Sequence, residues 1–371
     1  MKKEMDMSPG YIPKNKLQEL EQRLANLAEK YDARTDTAAV QFSLALPANN
    51  WRWEWGSPGA PKQYFIASTT KLYVTAMIMQ LRSEGRLDLD APAARYLDAS
   101  IMAGIHRLRG VDSGNSITVR QLLSHTSGIA DYFEQRRRDG SSQFRDCLRH
   151  DSAWSFDDIL SITRQLKPTF APATQGKAFY SDTNYQLLGA IIEQLDGVSY
   201  EDALQKRIIE PLGLHQTYPF SKATLPRYDE VAPMLYGKKP LVIPQAMASV
   251  RADGGIVSTS DDGIAFLDAF MNGKLFPKHY LDEMQRTWNP IFPPLEYGVG
   301  MMRLALPRYY TLFMQMPPMV GHSGVTGALL FYMPQLDLYV SGTVNQIKKR
   351  SLSYNLMIRL VMTVMSAISK G

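Results

Sequence analysis

The sequence predicts an α/β (α+β) fold, an antiparallel β-sheet flanked by helices, with a mainly helical domain inserted between the two stretches of chain that build the sheet. Three observations carry this. Strand-like segments appear early, in "AAVQFSLAL" and "NNWRWEWG". After Pro240 they return in series as "GGIVSTS", "EYGVGMMRLAL", "YYTLFMQM", "GALLFYMP" and "LDLYVSGTVN". Between them, from "SITVRQLLSHTSGI" through "QLLGAIIEQLDG", the apolar spacing is mostly helical.

The elements follow in order. In "KNKLQELEQRLANLAEKY", Leu17, Leu20, Leu24 and Leu27 recur at three- and four-residue spacing, the signature of an amphipathic helix. "AAVQFSLAL" then alternates, and in "NNWRWEWGSPGAP" Trp51, Trp53 and Trp55 share one face while Arg52 and Glu54 take the other. Such a row either covers a sheet or forms a wall on which substrate stacks. "FIASTTKLYVTAMIMQL" opens polar and runs apolar as a buried helix. Pro92 breaks the stretch from Asp88 to Asp98, "LKPTFAPATQGKAF" is a loop, and a helix from about Ser351 closes the chain. The expected division is 14–80 with 245–371 as the sheet domain and 81–244 as the helical domain, with 1–13 a flexible N-terminal segment.

Composition narrows the function classes. With 371 residues, 45% of them hydrophobic and 21% charged, the chain builds a real core. A net charge of +5 is mild, and the basic run "EQRRRDGSSQFRDCLR" is broken by Asp139 and Asp146 with no aromatic platform, so nucleic acid is not an expected partner. Cys147 stands alone, which excludes an internal disulfide and a multi-cysteine metal site, and reads as an idle thiol. His106, His150, His215 and His279 have no metal-ligand spacing, so neither metal nor cofactor is expected. Arg359 interrupts the apolar tail "MIRLVMTVMSAI", and no membrane span is expected. The basic opening "MKKEMDMSPG" has no apolar stretch behind it, so the expected compartment is the cytoplasm, or the periplasm or exterior if a leader was removed.

One lysine interrupts the buried helix. Ser68 and Lys71 are three residues apart, so on a helix they share a face. A hydroxyl at the helix start lies where free N–H groups and the positive dipole end favour developing negative charge. An ordinary lysine, with a reference pKa of about 10.4, is charged at neutral pH; burial among Phe65, Leu72 and Met77 works against that charge. Alone, Ser-x-x-Lys is equally a capping serine with a snorkelling lysine. Two polar motifs follow it in the chain: "YSDTNYQLLGAII", with Tyr180, Ser181 and Asp182, and "VGHSGVTGALLFYMP", with His322, Ser323 and Gly324.

With these motifs and "GRLDLDAPAARYL", "ITVRQLLSHTSGI", "PLGLHQT" and "RADGGIVSTSDD", the sequence from about Thr37 to Asn345 resembles the penicillin-recognising serine hydrolases. The likeness is to the branch of class C β-lactamases, D-alanyl-D-alanine carboxypeptidases, D-aminopeptidases and related esterases. It implies a β-lactamase/transpeptidase-like fold and an acyl-enzyme on Ser68, with Lys71 as partner and Tyr180 as proton shuttle. It implies an oxyanion hole from the N–H groups of Ser68 and Val325, and a cleft edge formed by His322, Ser323 and Gly324. His125 in "LLSHTSGI" falls in a structural turn of the family. The Gly-x-Ser-x-Gly elbow of the usual lipases is absent.

Two residues depart from the family pattern. Asp182 stands where many relatives carry asparagine; an ionised carboxylate accepts hydrogen bonds but donates none, and near Lys71 it holds the amine charged. His322 stands where many carry lysine, which weakens recognition of a substrate carboxylate. The expected activity is therefore hydrolysis of small acyl esters, with D-peptides as the nearest alternative and weak turnover of β-lactams. A fold-sharing binding protein without catalysis is the alternative of another class. "LFMQMPPMV" with Tyr297, Met301 and Met302 reads as core packing or as the floor of a broad acyl pocket.

Overall fold

The computed structural model describes residues 12–308 and 315–368. The expected flexible start falls almost wholly outside them, as does most of "YYTLFMQM" and part of "LFMQMPPMV". The leucine repeat forms helix α1 (Lys14–Asp32), with Leu20, Leu24 and Ala28 buried along one stripe. Strands β1 (Gln41–Leu46) and β2 (Trp51–Gly56) follow, paired antiparallel with Phe42 opposite Trp55 and Leu44 opposite Trp53. Helix α2 (Thr70–Ser83) carries Lys71, and its run passes through the boundary expected at position 80. The insert contributes α3 (Phe156–Gln165), started by a Ser155/Asp158 capping box, and α4 (Asp182–Asp196), stopped by Gly197. Helix α5 (Ser260–Met271) brings the chain back to the sheet.

Six strands then run in series: β3 (Asn289–Phe292), β4 (Leu295–Tyr297), β5 (Met302–Leu304), β6 (Met319–Ser323), β7 (Leu329–Met333) and β8 (Leu338–Thr343). Helix α6 (Ser351–Ile368) ends the described chain. The eight strands form one antiparallel sheet in the order β3-β4-β5-β6-β7-β8-β1-β2, so the early hairpin is zipped to the last strand through Gln41 opposite Thr343. "EYGVGMMRLAL" supplies two strands, because Gly298 to Met301 turn the chain between them. "GGIVSTS" joins a separate small sheet, where Ile256–Ser258 lies between Tyr64–Phe65 and Tyr218–Pro219.

Helices cover both sheet faces. Phe42, Leu44, Phe331 and Val340 pack with Leu24 of α1 and Leu356, Leu360 and Val364 of α6. On the other face Ser43 Oγ meets Ser260 Oγ at 2.8 Å, a small-residue contact that lets α5 approach. All six residues of β1 are therefore buried, and the alternation expected for it is lost because neither face meets water. Helix α6 is long and apolar enough to cross a membrane by length and composition alone, but its apolar face is spent on the sheet. Trp51 and Trp53 pack in the same layer, Trp51 donating its indole N–H to Glu21 at 3.0 Å. They cover the sheet, and the substrate-stacking alternative fails for them.

Candidate functional site

Strand Tyr64–Phe65 delivers the chain into a tight turn, Ala67–Thr69, from which α2 starts. Ala67 takes a positive φ of 44°, an unusual backbone for a residue with a side chain, and Ser68 emerges beside it at the helix N-terminus. The end of β6 presses on this turn. A Cβ on Gly324 would sit 2.5 Å from Ile66 O and 3.2 Å from Ser68 N, so only glycine permits the approach. Thr326 Oγ1 donates to Phe65 O at 2.8 Å and pins the segment after β6 to the same strand. Among the described residues neither the Ser68 nor the Val325 N–H is committed to a protein acceptor.

Lys71 is fully buried, and three acceptors surround its amine: Ser68 Oγ at 3.1 Å, the Asp253 carbonyl at 2.6 Å and Asp182 Oδ1 at 2.7 Å. That matches the three protons of an ammonium group. The rings of Tyr180 and Tyr185 lie 5.1 and 5.4 Å from the same nitrogen, faces that suit a cation. The Asp253 carbonyl is held in place by a short turn, Arg251–Gly254, whose Arg251 reaches Glu193 of α4 and Glu201. A Cβ on Gly189 of α4 would come 2.5 Å from Ala252 Cβ, so the helix backbone rests directly on the Ala252 methyl of this turn.

Tyr180 precedes α4, and its hydroxyl is buried without a closed hydrogen bond among the described residues. Burial, reinforced by the charge of Asp182, raises its pKa well above the ordinary phenol value, while proximity to Ser68 works the other way. Tyr180 is thus a neutral phenol with a free proton. His125, in a left-handed turn, packs its ring 4.4 Å from that of Tyr180 and accepts the Ser181 N–H at Nδ1. Burial and the nearby Lys71 charge hold His125 neutral. It positions the tyrosine loop, as the family turn implies.

His322 lies behind the cleft wall rather than in it. Strand alternation turns Ser323 to the cavity and His322 inward, where Nε2 lies 3.0 Å from Tyr297 Oη and Nδ1 accepts the Ser323 N–H. Burial, with the Lys71 charge second, pushes its pKa down to about 3. Its ring centre is 6.2 Å from that of Tyr180, so it reaches the site through aromatic packing and Tyr297.

Two carboxyls were missed in the sequence. Asp253 Oδ2 accepts from Tyr132 Oη and Gln186 Nε2, and burial together with the Asp182 charge raises its pKa. Asp131 accepts the backbone N–H groups of Asp182 and Glu134, and burial followed by the Asp182 charge pushes it up to about 7. The signals were an acid before the Gly-Gly of "RADGG" and another after "TSGIA".

A cavity of about 800 Å³ opens on this cluster, lined by Ser68, Tyr180, Asp182, Ser323, Gly324 and Val325 at its catalytic-motif end and elsewhere mainly by aromatic and aliphatic side chains, with Glu134, Gln135, Arg350 and Asn355 among them. Cys147 also lines it, and burial pushes the thiol up to about 12, so it is no nucleophile. Met302 lines the cavity, whereas Tyr297 and Met301 are core residues. Among the described residues no cluster of His, Cys, Asp or Glu is arranged to hold a metal.

The Beta-lactamase family profile matches residues 25–360. Penicillin-binding protein 4 of Amycolatopsis lactamdurans is 34% identical over 158 residues, 43% of this chain and 36% of that protein. Putative penicillin-binding protein PbpX of Bacillus subtilis is 24% identical over 64% of this chain and 52% of its own length. The chain thus spans about a third to a half of these curated relatives. Among solved structures, a D-stereospecific amidohydrolase from Streptomyces sp. superposes with a TM-score of 0.69 at 26% identity, covering 89% of this chain and 94% of that one.

Proposed function

The chain belongs to the beta-lactamase family, and on that premise we propose that it is a serine hydrolase of uncharged carboxylic esters, acting through an acyl-enzyme on Ser68. The observation that carries this reading is the meeting of Ser68 with Lys71 at 3.1 Å beneath a cavity edged by Tyr180 and the Val325 N–H. The ester carbonyl sits between the N–H groups of Ser68 and Val325, which bind the oxyanion as it forms. Ser68 passes its proton to Tyr180 Oη as it attacks, and the phenol passes its own proton to the departing alcohol. The relay needs no free base, and the Lys71 amine 3.1 Å from Ser68 Oγ donates to it and lowers the cost of negative charge there. Deacylation runs the same path in reverse, with water in place of the alcohol.

Esters are favoured over acylamino β-lactams and free C-terminal carboxylates by two features. Asp182 has no N–H for a substrate amide, and a buried neutral His322 offers no charge to a carboxylate. A second reading, hydrolysis of D-amino-acid amides or peptides, draws on the likeness to the Streptomyces amidohydrolase and on Asp131, which lines the same cavity and, pushed up to about 7, is ionised by a substrate ammonium brought beside it. The test is intact mass after incubation with p-nitrophenyl esters, D-phenylalanine amide and a fluorescent penicillin. Esters should add an acyl mass on Ser68, and Ser68→Ala should lose the adduct and on the order of a thousand-fold or more in turnover. No adduct and no turnover with any of the three would leave the chain a binding protein.

A further inference from the structure

The cavity does not end at the catalytic cluster. Met302 and Leu304 of β5 and Leu329 of β7 belong to the sheet face that packs under α6, yet all three line it, together with Leu306 and, from α6 itself, Ile358. The cavity therefore runs past the Ser323–Val325 edge into a gap between the sheet and the C-terminal helix. Its sheet side is apolar, and Ile358 continues that surface on α6, where Tyr354 and Asn355 also line it, with Ser351 and Arg350 at the start of the helix. The opposite wall, from the insert, is of different character, with Phe133, Phe144 and Trp154.

The chemistry proposed above orients a substrate in this space. Tyr180 gives its proton to the leaving group, so the alcohol lies on the Tyr180 side, next to Phe292, whose ring is 5.6 Å away and half exposed at the mouth. The acyl group then extends from the oxyanion donors in the other direction, along Ser323 and into the gap. Resting on that ester-hydrolase reading, the geometry points to a long, unbranched aliphatic acyl chain, octanoyl or longer, as the acid part of the substrate. The gap under α6 is its binding site. A short acyl group leaves that apolar surface unused.

The test is a chain-length series of p-nitrophenyl esters from acetate through butyrate and octanoate to dodecanoate, read as kcat/KM with mass detection of acyl-Ser68. Wild type should gain up to about four-fold per methylene, the equivalent of about 0.8 kcal/mol, until the gap is filled. Ile358→Trp and Leu306→Trp, at half-buried positions that tolerate bulk, should each cut the octanoate-to-acetate ratio by ten-fold or more and leave the thermal midpoint within a few degrees. Ile358→Ala should move the best substrate to a longer chain. A wild-type ratio at or below one, or a ratio that neither tryptophan changes, overturns the inference while acetate still acylates Ser68. Absence of acyl-Ser68 with every ester overturns it together with the ester-hydrolase reading.

Discussion

Lys71 shows how far a single residue can be read from its neighbours in the chain. Its presence on an apolar helix and its spacing from Ser68 were visible in the sequence, and so was Asp182 as a departure. That the two touch at 2.7 Å was not, because 111 positions of chain separate them and only the packing of α4 on α2 brings them together. The contact makes a prediction at this scale. Asp182→Asn removes the carboxylate 2.7 Å from the Lys71 amine and loosens the hold on the group that faces Ser68, so kcat/KM for a p-nitrophenyl ester should fall by about ten-fold. Penicillin acylation of Ser68 should instead rise, since asparagine donates an N–H to a substrate amide. If ester hydrolysis and penicillin acylation are both unchanged, the carboxylate has no part in the chemistry. Asp131 and Asp253 had only the weak local signals of their motifs, and that both would be buried and raised was not legible, because burial is decided by tertiary packing.

At the scale of elements, the candidate site is a junction of three segment ends: the turn before α2, the start of α4 and the end of β6. Each carries a short polar motif because element ends leave backbone N–H groups and side chains unspent. The motifs were therefore visible, whereas the depth of His322 was not. Its neighbour Ser323 faces the cavity, and which member of an alternating pair faces inward is decided by what packs on each side of the strand. The contact of β6 with the nucleophile turn yields a second prediction. Gly324→Ala forces β6 away from Ile66 O and Ser68 N, so kcat/KM should fall on the order of a hundred-fold, as displacements of about 1 Å do. The thermal midpoint should fall by only a few degrees, because the bulk of β6 keeps its partners. Full activity in this variant would mean that the turn holds its shape without the strand.

At the scale of the molecule, buried titratable groups tie stability to pH with opposing signs. His322 is held neutral with a pKa of about 3 against 6.5 ordinarily, so the unfolded chain binds the extra proton and its share of stability is lost as pH falls through that window. Asp131 is raised from 3.8 to about 7, so the folded chain holds the extra proton and stability is lost as pH rises through that window. Urea unfolding of His322→Gln should therefore show stability declining from about pH 4 to pH 7, and Asp131→Asn should show it rising, with wild type between. Identical slopes in all three proteins would contradict the burial of both groups. By itself the sequence determined the kinds and order of the elements and the family, and marked Ser68, Lys71 and Tyr180 as candidates, because periodicity and short motifs are properties of local chain. The tertiary structure alone decided that β1 is buried on both faces, that Asp131, Asp182 and Asp253 gather on one cavity, and that the cavity reaches the last helix. Those features depend on which surfaces meet, and distant segments meet only when the chain has folded.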